Sequence, residues 1–238
     1  MEINVDTGAE FDNEVCESKK NLILASNGLM KETRNRKLES ITVEKGETHQ
    51  VVSRVEEYIK NISKPVVVLA VGNVDIRPKV YGVDEGLIKG REKSVHDDMV
   101  NEVMVPIYRL NSKIRARKGV LKVASVIPCP ADQHYTPNAN EHKLHLQAHN
   151  SSVYMTINDR ITALNKRNRV STPQISSFFE EKTLYKDRKQ KKIHTNKFQK
   201  DGVTPTVRMT DKITRICETE LKDKTWHNQL QSTVHKAR

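Results

Sequence analysis

Aromatic side chains make up only 5% of this 238-residue chain, with one Trp, four Phe and six Tyr. So few rings leave little for stacking nucleobases along a groove, even though Tyr81, Tyr108, Tyr135, Tyr154 and Tyr185 lie among basic residues. Cysteine is scarcer still. Cys16, Cys129 and Cys217 are odd in number and far apart, which fits neither a disulfide framework nor a paired-cysteine zinc pattern. No stretch approaches the roughly 18 consecutive apolar residues of a membrane-spanning helix. The first 20 residues are acidic and polar rather than a charged-then-apolar export signal. These absences lead us to expect an intracellular protein, cytoplasmic or nuclear, in a reducing environment and without a membrane span. No internal repeat is visible.

Acids are the minority charge: 30 Asp and Glu face 41 Lys and Arg, a formal net charge of +11. Such an excess attracts nucleic acid, an anionic membrane surface or an acidic protein at long range. Two of its clusters, Lys113, Arg115 and Arg117 in one and Lys189, Lys191 and Lys192 in the other, are the candidate contacts for an anionic partner. A solvated helix face or loop is the competing reading of each.

The length suits one α/β domain with short tails. We expect a flexible lead-in at 1–19, a domain at 20–225 and a peripheral basic tail at 226–238. The apolar run Asn21 to Ala25 ends in the turn-forming Ser26-Asn27-Gly28 and predicts a first strand. Ile41 to Val43 predicts a second, followed by Gly46 and a helix with Val51, Val55 and Ile59 on its apolar face. Val66 to Val71 is β-branched and apolar on both faces, as a central parallel strand requires. A long helix follows from an N-cap at Ser94 to Lys118, with Pro106 as a candidate kink. Further strands are expected at Leu121 to Ile127 and Val170 to Phe179, and further helices at Ser152 to Asn168 and Thr206 to Lys224. Alternating strands and helices imply a parallel sheet covered on both faces.

Open parallel sheets carry their functional groups on the loops leaving the C-terminal ends of the strands. Here those loops hold Ser26-Asn27-Gly28, Gly46, Gly72-Asn73-Val74-Asp75 and Asp201-Gly202-Val203-Thr204. In order and spacing, over about residues 21–220, these four blocks resemble the SGNH, or GDSL-type, hydrolase family. The resemblance implies a flavodoxin-like three-layer α/β/α sandwich with a five-stranded parallel sheet. It also implies a shallow cleft over Ser26, Gly46, Asn73 and Asp201, with Gly28, Gly46 and Asn73 as its oxyanion and cleft positions.

The residue identities depart from the family at three roles. Gly28 stands where the family has its serine nucleophile, and a two-residue shift would give that role to Ser26. Val74 stands where an asparagine amide stabilises the oxyanion, with Asn73 one residue early. Thr204 stands where the histidine base belongs, and a hydroxyl cannot take a proton from serine near neutral pH. Without that base Asp201 is expected to cap the last helix or bind a backbone turn. The preferred expectation is therefore a catalytically degenerate domain that binds or scaffolds, toward an anionic partner. One alternative is an active serine esterase or acetyl-hydrolase using Ser26 and Asp201, with His194 supplied from outside the motif. A second is a nucleic-acid-binding accessory module of mobile-element origin.

No cofactor and no metal are expected. His142, His145 and His149 would share one face of a helix, but the competing reading, exposed or hydrogen-bonded histidines, is preferred. Gly82, Gly86 and Gly90 lack the strand-to-helix context of a phosphate loop and are expected to form a mobile loop.

Overall fold

The computed structural model describes residues 20–33, 35–76, 85–128, 140–185, 188–193, 197, 199 and 205–222. Four strands, β1 (Leu22–Ser26), β2 (Glu39–Thr42), β3 (Val66–Ala70) and β4 (Val120–Val123), form one parallel sheet in the order β2-β1-β3-β4. The helices are α1 (Thr48–Tyr58), α2 (Glu85–Ala116), α3 (Asn140–Arg167) and α4 (Val207–Lys222). A separate antiparallel pair, β5 (Glu180–Tyr185) and β6 (Arg188–Ile193), stands apart from the parallel sheet.

The period-2 alternation of strand side chains divides the core into two layers. Ile23, Ala25, Val67, Leu69, Leu121 and Val123 face one side, where they pack against Val51 and Val55 of α1, Val103 and Ile107 of α2, and Ile157 and Ile161 of α3. Leu24, Val66, Val68 and Ala70 face the other side and meet Met209, Ile213, Cys217 and Leu221 of α4. The result is the expected three-layer α/β/α arrangement. Lys122 also points to the α4 side and is buried there; its ammonium donates to the Glu220 carboxylate at 2.7 Å and to the Glu220 carbonyl at 3.2 Å. Cys217 serves as packing, and burial pushes its thiol up to about 12.

The fifth parallel strand expected at Val170 to Phe179 is not formed. Residues 170–175 have no strand structure, and a short 3-10 turn follows at Ser176–Phe178. The outward-facing backbone groups of β4 and its extension are met mainly by side chains of α3 and of Asn168 just after it. Asn165 accepts from the Val123 N–H at 3.0 Å and donates to the Val123 carbonyl at 2.7 Å. Asn158 does the same for Val126, accepting at 2.6 Å and donating at 3.0 Å. Asn168 donates to the Leu121 carbonyl. Pro173, which has no N–H, contributes only its carbonyl, to the N–H of Ser125. Three asparagine amides thus close the sheet edge that a strand was expected to cover.

Two helices begin earlier than expected. α2 starts at Glu85, so Ser94 lies inside it rather than capping it, and Gly86 and Gly90 are helical rather than part of a loop. The good helix formers around those glycines offset their poor propensity. The helix also runs through Pro106, held by the buried row Val103, Met104, Ile107, Leu110 and Ile114. α3 starts at Asn140, so His142, His145 and His149 all fall within it. The expected lead-in at 1–19 and tail at 226–238 lie outside the described residues, as does Gly82.

Candidate active site

Ser26 is the last residue of β1, the inner strand between β2 and β3. Its register partners are Thr42 and Ala70, so the loops leaving β2, β1 and β3 emerge side by side at one edge of the sheet. The backbone has positive φ at Gly28, 92°, and at Gly72, 101°, values that glycine adopts without the steric cost of a Cβ. Asn27 and Asn73 flank these two glycines.

The Ser26 side chain is fully buried, and its hydroxyl oxygen accepts from the Met30 N–H at 3.3 Å. The turn that carries it is anchored on the α4 side: Leu29 and Met30 are buried in that layer, and the Lys31 N–H donates to Thr214 Oγ1 at 3.0 Å. At Gly28, the Glu44 carboxylate lies directly above the backbone, with Oε2 2.7 Å from where a Cβ would stand. A side chain at position 28 would therefore displace Glu44.

The loops flanking β1 are tied together by a buried strut. Asp75 Oδ1 accepts from the Thr48 N–H at 3.0 Å, and Oδ2 accepts from the Thr48 hydroxyl at 2.7 Å. Thr48 is the first residue of α1, so Asp75 satisfies a helix N-terminal donor from the neighbouring loop. A backbone bond from Ile76 N–H to the Gly72 carbonyl closes the loop that carries it. Burial raises the Asp75 pKa, and the two Thr48 donors pull it back down without cancelling the rise. Glu47 completes the helix start, its N–H donating to Gln50 Oε1 at 2.9 Å.

Gly46 sits in a tight turn in which its N–H donates to the Val43 carbonyl at 3.0 Å. That hydrogen bond occupies the amide expected to serve as an oxyanion donor. Asn73 is buried at the β3 loop, and its Oδ1 has no hydrogen-bond partner. Asn27 is buried likewise, with both amide heavy atoms unpartnered. Val74 is half-buried. Asp201, Gly202, Val203, Thr204 and His194 lie outside the described residues. The final helix begins just beyond that block, where the Thr206 carbonyl accepts from Met209 and Thr210.

A cavity of about 330 Å³ opens beside this edge, lined by Glu47, His49, Asp75, Asn101, Glu102, Val105 and Pro106. It shares Asp75 with the loops but touches neither Ser26, Gly28 nor Asn73, so it is not the cleft anticipated from the motifs. Among the described residues no three His, Cys, Asp or Glu side chains are grouped to hold a metal ion.

The first basic cluster is largely engaged within the chain. Lys113 and Arg109 both bind the Glu56 carboxylate, at 2.7 and 2.8 Å. Arg117 donates to the carbonyls of Ile59 at 3.1 Å and Lys113 at 3.2 Å, covering the end of the α1 region. Arg115 is exposed. Lys189, Lys191 and Lys192 all belong to β6, where Lys191 stands opposite Lys182 and Lys192 opposite Glu181. No described helix is long and apolar enough to cross a membrane.

Sequence reasoning missed Glu44 and the Thr48–Asp75 strut. Neither has a local signature, because each depends on strands pairing at long range; the Glu47 and Gln50 spacing at the start of α1 is a local signal that sequence reading passed over.

No protein-family model and no curated protein matches the chain. Among solved structures, it is similar to a GDSL-like lipase from Bacteroides thetaiotaomicron VPI-5482, with a TM-score of 0.57 at 16% identity over 86% of this chain and 88% of that one. It is also similar to a "putative acylhydrolase" from Bacteroides fragilis NCTC 9343, with a TM-score of 0.53 at 12% identity over 88% of this chain and 89% of that one. The fold is that of the SGNH, or GDSL-type, hydrolases.

Proposed function

We propose that this chain is an SGNH-type domain whose catalytic centre has degenerated, and that it binds rather than cleaves. The observation that carries this reading is the Ser26 hydroxyl, which is fully buried and accepts a backbone hydrogen bond from within its own turn. A nucleophile must reach a substrate carbonyl and pass its proton to a base. Ser26 is turned away from solvent, and position 28 carries no side chain at all. With the hydroxyl, the Val74 position and the Thr204 position all altered, hydrolysis would need three separate replacements, and triad residues act as a unit. Incubation of the native chain with a fluorophosphonate serine probe tests this: we expect no adduct at Ser26 by peptide mass mapping. An adduct there supports the esterase reading, with Ser26, Asp201 and His194 as its residues.

An anionic partner, nucleic acid or an acidic protein, is the second part of the proposal. Its support lies in β6, where Lys189, Lys191 and Lys192 fall within six residues and Lys191 is in register with Lys182 of β5. Like charges directly opposite each other are unfavourable unless an anion offsets them. Lys113 and Arg117 contribute less, since their side chains already hold α1 to α2. Binding of an oligonucleotide at two salt concentrations tests it. Affinity should fall as salt rises, and binding indifferent to salt would contradict phosphate contacts.

A further inference from the structure

The N-terminal edge of the parallel sheet, opposite the edge that carries Ser26, holds a row of cations in an unfavourable backbone conformation. Among the described residues other than glycine, those with positive φ are all basic: Lys45, Lys64, Lys118 and Arg169. Lys45 follows β2 at the far edge, whereas Lys64 at 53°, Lys118 at 56° and Arg169 at 58° lie at this one. In that left-handed region a Cβ crowds the backbone, and glycine is the relaxed choice. Lys118 and Arg169 each stand just past a helix, where the next N–H reaches back into it: Gly119 to the Ile114 carbonyl and Val170 to the Asn165 carbonyl, both at 3.0 Å. Helices that end this way usually carry glycine at that position.

The three cations belong to neighbouring segments. Val66 of β3 is in register with Val120 of β4, so Lys64 and Lys118, each two residues upstream, enter adjacent strands at matching positions. The Lys64 N–H donates to the Arg117 carbonyl at 3.0 Å, and Gly119 lies so close to Pro65 that a Cβ would stand 2.3 Å from its carbonyl oxygen. On the other side of β4, Asn168 donates to the Leu121 carbonyl at 3.1 Å and so sets Arg169 beside that strand. Adjacent strands are about 5 Å apart, which gives the row its spacing. All three residues are exposed, and none is in an ion pair among the described residues, whereas Lys60 and Lys113 nearby are matched by Glu57 and Glu56.

Helix dipoles account for Arg115, Lys166 and Arg167 in the last turns of α2 and α3. They do not require a charged side chain where glycine would relax the backbone. The same strain kept three times with the same charge points to a use for that charge. Exposed, unpaired and closely spaced cations complement a chain that carries a negative charge at every unit, as a phosphodiester backbone does. We propose that Lys64, Lys118 and Arg169 form a docking edge for the phosphate backbone of nucleic acid, engaged without regard to base sequence. The inference rests on the anionic-partner reading and assigns the contact to this sheet edge rather than to β6.

The test uses the full chain, a short duplex DNA of mixed sequence, and poly-L-glutamate as a second polyanion. One triple variant, Lys64→Gly with Lys118→Gly and Arg169→Gly, removes the charges and relaxes the backbone. A second, Lys64→Gln with Lys118→Gln and Arg169→Gln, removes the charges alone. Both should bind the duplex at least tenfold more weakly at low salt, and log affinity should fall less steeply with log salt, by about 0.9 per lost contact. The glycine variant should keep its urea midpoint, which a merely structural role for these side chains would lower; if it unfolds early, the glutamine variant alone decides. Unchanged affinity and slope overturn the inference and leave β6 as the contact. Tighter binding of poly-L-glutamate than of DNA by the parent chain overturns it in favour of an acidic protein. A parent chain that binds neither polyanion overturns it together with the anionic-partner reading.

Discussion

The Met30 N–H donates to the hydroxyl of Ser26 four residues earlier, at 3.3 Å and inside a buried turn. This bond gives the Ser26 hydroxyl oxygen a structural role as an acceptor. It also explains why a serine sits at the end of β1 without being exposed. The hydroxyl satisfies a backbone donor where Leu29 and Met30 enter the α4 layer, a role comparable to a side-chain turn cap.

The Thr48–Asp75 strut has a pH signature. Burial raises the Asp75 pKa in the folded chain, so ionising this carboxyl costs the native state more than the unfolded one. The native state therefore keeps its full advantage from Asp75 below the ordinary Asp range and loses part of it as pH rises through the elevated folded pKa. In Asp75→Asn, an amide oxygen can still accept from Thr48 but does not titrate. Denaturant titrations of both proteins at pH 4 and pH 7 should show the stability gap moving in favour of the Asn variant at the higher pH. A gap that is constant, or that moves the other way, contradicts the assignment.

The asparagines along β4 should matter more for stability than any surface polar group. Asn165→Leu preserves much of the volume but strands the Val123 N–H and carbonyl in the interior. We expect a loss of about 2–4 kcal/mol, the cost of two unsatisfied buried backbone groups. Urea unfolding measures it, and a loss below about 1 kcal/mol would mean that the 170–175 segment takes over the edge by pairing with β4.

Those same asparagines explain where sequence reading stopped. β1, β3 and α4 were legible because their apolar patterns are strong: β3 is buried along its whole length, and Ile213, Cys217 and Leu221 recur at helical spacing. The parallel order followed from the alternation of elements. The segment at Val170 to Phe179 has strand-like composition, yet whether it pairs depends on Asn158 and Asn165, contributed by another element. The start of α2 was obscured by Gly86 and Gly90, whose low helix propensity is overridden in the fold. At the site, the positions of Ser26, Gly46 and Asn73 at the strand ends were legible. The burial of the Ser26 hydroxyl, the Glu44 carboxylate over Gly28 and the Asp75 bond to Thr48 were not: the first depends on its turn packing into the α4 layer, and the other two are contacts between segments that follow different strands.

The central claim concerns Ser26, and turnover of p-nitrophenyl acetate by the full chain and by Ser26→Ala tests it most directly. We predict that neither protein exceeds the uncatalysed rate, while the variant loses about 1 kcal/mol of stability through the orphaned Met30 N–H. Saturable turnover by the parent chain that disappears in a folded Ser26→Ala would contradict the account and make this domain an esterase.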